Sequence, residues 1–196
     1  AASIEVVHQL YDWAEVVVPH MTATPTAMGY ARPARKPVIY PIHDDGQLEL
    51  YGLDSDDVAL ALFFSCGLRE RTGFPGRQLV VHPPTFVEEY RVEQTGDAIV
   101  QLSLSSEKGG ELFWKLVQRL PDREFIAAIG GWGDQIIPDH VPDNVTILQH
   151  QGTTLKEVFE QTRLLLVPSQ RLGEGPRFWT ENWGRVAIEA AASGIP

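Results

Sequence analysis

Short apolar runs alternate with amphipathic helical segments throughout the second half of this chain. The runs have the length of buried strands and cover residues 98–104, 125–130, 145–148 and 164–167. The segments between them have helical spacing and cover residues 108–120, the stretch after Thr154, and 184–192. Strands that alternate with helices pack into a parallel, doubly wound sheet with right-handed crossovers. The sequence therefore predicts an α/β fold with such a sheet in the C-terminal part.

The helix expected after residue 153 carries a clear start signal. Thr154 is followed three residues later by Glu157, which is the pattern of a capping box. The helix that begins there should bury Leu155, Val158 and Phe159 against the sheet.

The first half of the chain shows a weaker pattern of the same kind. We expect strands over residues 15–18, 38–42, 58–64 and 79–81, and helices over residues 3–11 and 66–71. Residues 21–36 have no clear period and contain the helix-breaking residues Pro25 and Pro33. We therefore expect that segment to be a loop.

A double proline at Pro83 and Pro84 stiffens the chain and removes two backbone donors. This favours a boundary between a partial N-terminal lobe, residues 1–83, and a second lobe, residues 84–196. Cys66 is the only cysteine, so an internal disulfide is excluded.

The charge of the chain limits the partners that we expect. Asp and Glu outnumber Lys and Arg by 26 to 16, for a net charge of −10. A field of that sign repels nucleic acid and anionic lipid, although a local pocket can still bind an anionic small molecule. The sequence contains neither an apolar run of roughly 18–20 residues nor a signal segment, so we expect a cytoplasmic protein. Peripheral contact with a membrane that carries a lipid-linked substrate stays open.

Two carboxylates near the C-terminal helix have a spacing suited to a diphosphate ligand. Glu181 and Glu189 lie eight residues apart, or about 12 Å along a helix. The backbone amides of Asn182, Trp183 and Gly184 at the expected helix start, with the positive end of the helix dipole, would form an anion site between them. One carboxylate could then accept sugar hydroxyls and the other the two ribose hydroxyls.

The same residues resemble a known signature. Residues 181–196, ENWGRVAIEAAASGIP, are similar to the E-x7-E segment of glycosyltransferase family 4, usually written E-G-F-G-x-x-x-x-E-A-x-A-x-G-x-P. Trp183 keeps the aromatic character of its position. Residues 102–109, LSLSSEKG, resemble the strand-loop segment whose lysine binds donor phosphate, and residues 165–169, LLVPS, resemble the fourth strand. The resemblance covers roughly residues 79–196.

This resemblance implies two Rossmann-like lobes of the GT-B type and a metal-independent, retaining glycosyltransferase. Such an enzyme needs no cofactor; it transfers a sugar from a nucleoside diphosphate sugar to a hydroxyl of a carbohydrate or glycoconjugate acceptor. By the same resemblance Glu181 orients the sugar and Glu189 binds the ribose. Lys108 and the amides of residues 182–184 stabilise the departing diphosphate.

Four more residues are candidates, from their positions at strand ends or from the resemblance. Gly130 lies where a strand end can approach the ligand closely, and Gln149 lies where the family contacts the base. His43 ends a strand in the first lobe and is a candidate for the group near the reacting sugar. Ser103 stands where the family often has a second phosphate-binding arginine, so Arg171, Arg177 or Arg185 could supply that charge instead. A plain turn, an ordinary loop and a loop histidine remain alternatives for Gly130, Gln149 and His43.

The chain also departs from the family at its two ends. It lacks the glycine-rich first loop, and it stops at Pro196, where the next strand of the family should begin. We therefore expect both lobes to be incomplete and the chain to be a fragment of a longer protein.

Three other functions stay open at this point. The chain could be a nucleotide-sugar epimerase of the same fold or a non-catalytic sugar-nucleotide-binding module. Asp54-Ser55-Asp56 could be the D-x-D motif of a metal-dependent glycosyltransferase, although two aspartates at this spacing are more typical of a turn. The nucleotide, the sugar, the acceptor and the oligomeric state are not specified by the sequence.

Overall fold

The computed structural model describes residues 4–44, 56–130, 133–149, 154–169 and 181–196. The chain divides at the double proline into two compact units, Ala1–Pro83 and Pro84–Pro196. Each unit is built around a parallel sheet, so the protein belongs to the α/β class, as predicted. No helix in the described ranges is both long enough and apolar enough to cross a membrane.

The first unit contains a three-stranded parallel sheet. Its strands lie side by side in chain order, β1 (Val38–Ile42), β2 (Val58–Phe63) and β3 (Gln78–Val80). Helix α1 (Ile4–Trp13) precedes the sheet, and helix α3 (Cys66–Thr72) connects β2 to β3. The predicted strands and helices at these places are confirmed to within two residues at each end.

The segment at residues 21–36 is not the predicted loop. It contains a 3-10 helix, Met21–Ala23, followed by helix α2 (Thr24–Ala31). Pro25 lies in the first turn of α2, where a missing backbone N–H leaves no helical hydrogen bond unmade. The buried residues of α2 have helical spacing and are Thr24, Ala27, Met28 and Ala31. The proline therefore marks the start of a helix that the sequence interpretation missed.

The strand predicted at residues 15–18 is reduced to a single contact. Val17 is buried and forms an isolated parallel bridge with Val38. Its neighbours Val16 and Val18 are exposed. One bridge uses only the Val17 backbone, so the prediction of a buried strand was wrong for the rest of the segment.

The second unit contains a four-stranded parallel sheet in the order β6-β5-β4-β7. The strands are β4 (Ala98–Leu102), β5 (Phe125–Ile129), β6 (Val145–Gln149) and β7 (Thr162–Leu166). The helices are α4 (Val87–Tyr90), α5 (Gly110–Arg119), α6 (Leu155–Glu160) and α7 (Arg185–Ala191). The predicted parallel sheet is confirmed.

Helices cover both faces of this sheet. On one face α5 packs Phe113 and Val117 against a core that includes Phe125, Ala127 and Val145. The core on the other face joins α6 and α7 to the sheet and includes Val100, Ile126, Val158, Phe159 and Ala190. Helix α6 begins with the predicted capping box, in which the Thr154 hydroxyl accepts from the Glu157 amide at 3.3 Å. This arrangement is a doubly wound sheet.

The strand order reverses at β4. The chain proceeds from β4 outward through β5 and β6, and then returns to place β7 on the other side of β4. Helix α5, which follows β4, and helix α7, which follows β7, pack on opposite faces of the sheet, and such an arrangement places a crevice at the carboxyl ends of the two strands. That is where open α/β sheets bind ligands.

Candidate functional site

A cavity of about 360 Å³ lies at the carboxyl edge of the second sheet. Its walls are apolar and include Leu102, Ile129, Leu155 and Val186. Its polar and glycine lining consists of Ser103, Lys108, Gly130, Gln149, Arg185 and Glu189. Apolar walls with a few converging polar groups are typical of a small-molecule site.

The parallel sheet brings three of the sequence candidates to this cavity. Ser103 directly follows β4, Gly130 directly follows β5, and Gln149 is the last residue of β6. Because these neighbouring strands are parallel, their carboxyl ends meet at one edge of the sheet. Glu189 reaches the same cavity from α7. With Lys108, five of the predicted site residues therefore line one cavity.

An ion pair lies at the point where the strand order reverses. The Lys108 Nζ is 2.5 Å from Glu181 Oε2, and the Ser169 hydroxyl donates to the same carboxylate oxygen at 3.0 Å. Lys108 lies in the loop after β4, and Ser169 lies after β7. The loops on the two sides of the crevice are thus joined through Glu181.

The charge state of Glu181 follows from these contacts. Burial alone would raise the pKa of the Glu181 carboxyl. The hydrogen bond and the charge of Lys108, with the hydrogen bonds from Ser169 and the Gly184 amide, outweigh burial and hold that pKa below its ordinary value. Glu181 is therefore ionised at neutral pH.

Two details of the predicted anion site differ from the structure. Helix α7 begins at Arg185, so Glu181 precedes the helix and the spacing of about 12 Å along a helix does not apply to it. The Gly184 amide also donates to Glu181 Oε1 at 3.2 Å, and is not one of the open donors that the sequence interpretation placed there. In the described part of the chain, Glu181, Asn182, Trp183 and Gly184 lie outside the cavity lining.

Glu189 is the most deeply buried acid of the site. Its side chain is only 2% exposed, and the Arg185 Nε donates to its Oε1 at 2.6 Å. The two residues lie one helical turn apart on α7, which places their side chains on the same face. The hydrogen bond to Glu189 and the charge of that carboxylate raise the pKa of the Arg185 guanidinium. Arg171 and Arg177, the other two candidate cations, lie outside the described residues.

Gln101 supports the loop that carries Lys108 and was not identified from the sequence. Its side chain is 1% exposed, and its Nε2 donates to the carbonyl oxygens of Ser103 at 3.1 Å and Lys108 at 3.0 Å. A single amide thus holds both ends of the turn. The signal was a polar residue inside the apolar run AIVQL of β4.

Gln135 connects the loops after β4 and β5 and was also missed. Its Oε1 accepts from the Leu104 amide at 2.7 Å, and its Nε2 donates to the Gly133 carbonyl at 3.1 Å. Nothing in the local sequence marks this residue, because the contact joins segments far apart in the chain.

A close backbone contact requires a glycine at position 109 of this loop. Its φ is +80°, and a Cβ at this position would lie 2.6 Å from the Pro168 carbonyl oxygen. The loops after β4 and β7 are therefore packed at van der Waals distance, with Lys108 immediately beside the contact.

The whole chain aligns with the crystal structure of AviGT4, a glycosyltransferase involved in avilamycin A biosynthesis. The TM-score is 0.61 at 18% sequence identity, and the match covers 100% of this chain and 58% of AviGT4. The fold is therefore similar to that of a glycosyltransferase. The chain spans somewhat more than half the length of that protein. No protein-family model and no curated protein sequence matches the chain.

His43, the candidate from the first half, belongs to the first unit. It follows β1 and contacts Phe64 and His20 edge to face, with ring centroids 4.3 Å and 4.9 Å away. Burial, then the charge of His20, lower the pKa of His43, and Asp44 opposes this effect. The imidazole is therefore neutral at neutral pH, and its role in chemistry stays a prediction.

The D-x-D alternative falls largely outside the described residues. Asp54 and Ser55 lie outside the described residues, and of this motif only Asp56 is described. Within the described ranges, no group of three His, Cys, Asp or Glu side chains is placed to hold a metal ion.

Proposed function

We propose that residues 84–196 bind a nucleoside diphosphate sugar and that the protein transfers its sugar to an acceptor hydroxyl. The observation that carries this proposal is the cavity at the carboxyl edge of the second sheet, where Ser103, Lys108, Gly130, Gln149 and Glu189 converge. The likeness to AviGT4 supports glycosyl transfer as the reaction class.

The charges around the cavity suit a diphosphate leaving group. Lys108 lines the cavity and is held in place by Glu181, so its ammonium is positioned before a ligand arrives. A positioned cation stabilises the negative charge that develops on a departing diphosphate. In this proposal Glu181 also orients the sugar, with the nearby Asn182, Trp183 and Gly184.

The far end of the donor is assigned to other lining residues. The Glu189 carboxylate accepts the ribose hydroxyls, the Gly130 backbone allows close approach, and Gln149 contacts the base. His43, a neutral imidazole in the first unit, is assigned to the side of the reacting sugar and the acceptor.

Retention of configuration and independence of metal follow from the resemblance to glycosyltransferase family 4. The same resemblance suggests a carbohydrate or glycoconjugate acceptor and a role in polysaccharide or glycoconjugate biosynthesis. We also propose that the protein acts in the cytoplasm.

A panel of UDP-, GDP- and ADP-sugars tests the proposal by thermal unfolding of the 196-residue chain. A ligand that binds only the folded state raises Tm in proportion to the logarithm of its concentration. We expect one nucleotide class to raise Tm and Lys108→Met to reduce that rise. Lys115→Met, which removes an exposed lysine from α5, is the matched control and should leave the rise unchanged.

The other candidate functions predict different results. An epimerase would turn over the donor with no acceptor present, and a binding module would bind it with no transfer to any acceptor. If no nucleotide sugar raises Tm, the donor assignment fails altogether.

A further inference from the structure

Arg185 is placed to do more than neutralise a buried acid. It is the first residue of α7 and lines the same cavity as Lys108. Its side chain is 62% exposed, although its Nε is bonded to Glu189, which is 2% exposed. One end of the guanidinium is therefore anchored in the protein while much of the side chain remains open to solvent.

The hydrogen-bonding capacity of Arg185 exceeds what its contacts in the described part of the chain use. A guanidinium has five N–H donors in a rigid planar fork. Among the described residues, Glu189 takes one at 2.6 Å, and Tyr90 contributes a smaller interaction. The remaining donors have the geometry that binds two phosphate oxygens at once.

We infer that Arg185 binds the diphosphate of the donor, as the second cation of the cavity beside Lys108. The inference rests on the proposed function and names a residue that the donor's phosphates would contact. Among the described residues that line the cavity, Lys108 and Arg185 are the two that carry positive charge.

The charge of the ligand makes a second cation necessary. A diphosphate ester carries about two negative charges, which one lysine cannot match. Lys108 and Arg185 each also face one carboxylate, Glu181 at 2.5 Å and Glu189 at 2.6 Å. Ser103, at the start of the same loop, contributes only a hydroxyl. Arg185 adds a cation whose conformation is already fixed by Glu189, so binding loses little side-chain entropy at this position.

The simpler explanation is that Arg185 only compensates the charge of Glu189 and so keeps the ribose site intact. The two explanations differ in which part of the ligand Arg185 helps to bind. A phosphate contact affects a nucleoside diphosphate but not the nucleoside. An indirect effect through Glu189 affects both ligands to the same degree.

The test measures binding of UDP, GDP and ADP, and of uridine, guanosine and adenosine, to the 196-residue chain by calorimetry. The variants are Arg185→Gln, Arg185→Lys and, as a matched control, Arg119→Gln at the exposed end of α5. Should Arg185→Gln unfold because Glu189 loses its partner, Arg185→Lys keeps a positive charge there but loses the fork.

We expect Arg185→Gln to weaken the preferred diphosphate roughly 10- to 100-fold, the effect of losing hydrogen bonds to a charged group, with nucleoside affinity unchanged. Arg185→Lys should show a smaller loss, and Arg119→Gln none. Equal losses for diphosphate and nucleoside, or no loss for either, would overturn the inference and leave the proposed function standing. Failure of the unsubstituted chain to bind any diphosphate would overturn the proposed function and this inference with it.

Discussion

The Lys108 ammonium lies 2.5 Å from the Glu181 carboxylate, although 73 residues separate the two along the chain. One residue belongs to the loop after β4 and the other to the segment before α7. Their pairing joins the loops on the two sides of the crevice, and it fixes a cation at the edge of the cavity.

A double-mutant cycle measures how strongly this pair stabilises the second unit. The two side chains are 35% and 31% exposed, so solvent still screens their attraction. We expect Lys108→Met and Glu181→Gln to show a coupling of about 1 kcal/mol in the free energy of unfolding, measured with urea. The matched pair Lys115→Met and Glu181→Gln should be additive. A coupling equal to that of the control pair would show that the contact does not stabilise the second unit.

The Lys108–Glu181 pair should also make stability depend on pH. The pKa of Glu181 is held below its ordinary value, so its contribution is fully present above the unfolded-state pKa. The contribution is lost as the pH falls through the folded-state pKa. We expect the stability advantage of the unsubstituted chain over Glu181→Gln to shrink on acidification just below the ordinary glutamate range. Urea unfolding over a pH series measures this advantage. An advantage that grows on acidification would contradict a lowered pKa for Glu181.

Substitution of Glu189 tests the ribose assignment. Glu189→Gln keeps the volume of the side chain but replaces a charged acceptor by a weaker one. We expect nucleotide affinity to fall roughly 10- to 100-fold, as for a lost hydrogen bond to a charged group. Glu160→Gln, at an exposed position of α6, is the control for the same chemical change. Unchanged calorimetric affinity in Glu189→Gln would count against the donor-binding site.

Two glycines should respond in opposite ways to alanine. A Cβ on Gly110 would lie 2.1 Å from the Leu104 carbonyl oxygen, so Gly110→Ala forces α5 away from the loop that carries Lys108. We expect a loss of about 1–3 kcal/mol in the free energy of unfolding. A Cβ on Gly29, within α2, would meet nothing within 4 Å, so Gly29→Ala should stabilise the chain by about 0.5–1 kcal/mol. Urea unfolding of both variants checks the prediction, and a stabilised Gly110→Ala would refute the close contact.

The architecture of the second unit could be predicted because its signals are local. Apolar runs of strand length, helical spacing between them and the Thr154–Glu157 capping box each depend on a few adjacent residues. The failures have local causes as well. Pro25 is a helix breaker in the middle of a helix but a favourable residue in its first turn. The periodicity of a helix as short as α2 is too weak a signal to outweigh the expectation that a proline ends a helix.

The candidate site could be predicted only as a set of residue types. The motif at residues 181–189 and the lysine at 108 were identified from the chain, but the contacts of Gln101 and Gln135 were not. Each of these amides bonds to backbone groups of a loop, and backbone groups carry no signature in the sequence. Gln101 was visible only as a polar residue in an apolar strand.

The sequence by itself determined the alternation of strands and helices, and therefore the parallel sheet, because those preferences act over a few neighbouring residues. Only the tertiary structure decided that Glu181 bonds to Lys108, that Arg185 is anchored by a buried Glu189, and that α7 begins after the first acid of the motif. The physical reason is that charge pairing and burial depend on distance in space. That distance is set by how strands β4 and β7 come to lie side by side, and not by spacing along the chain.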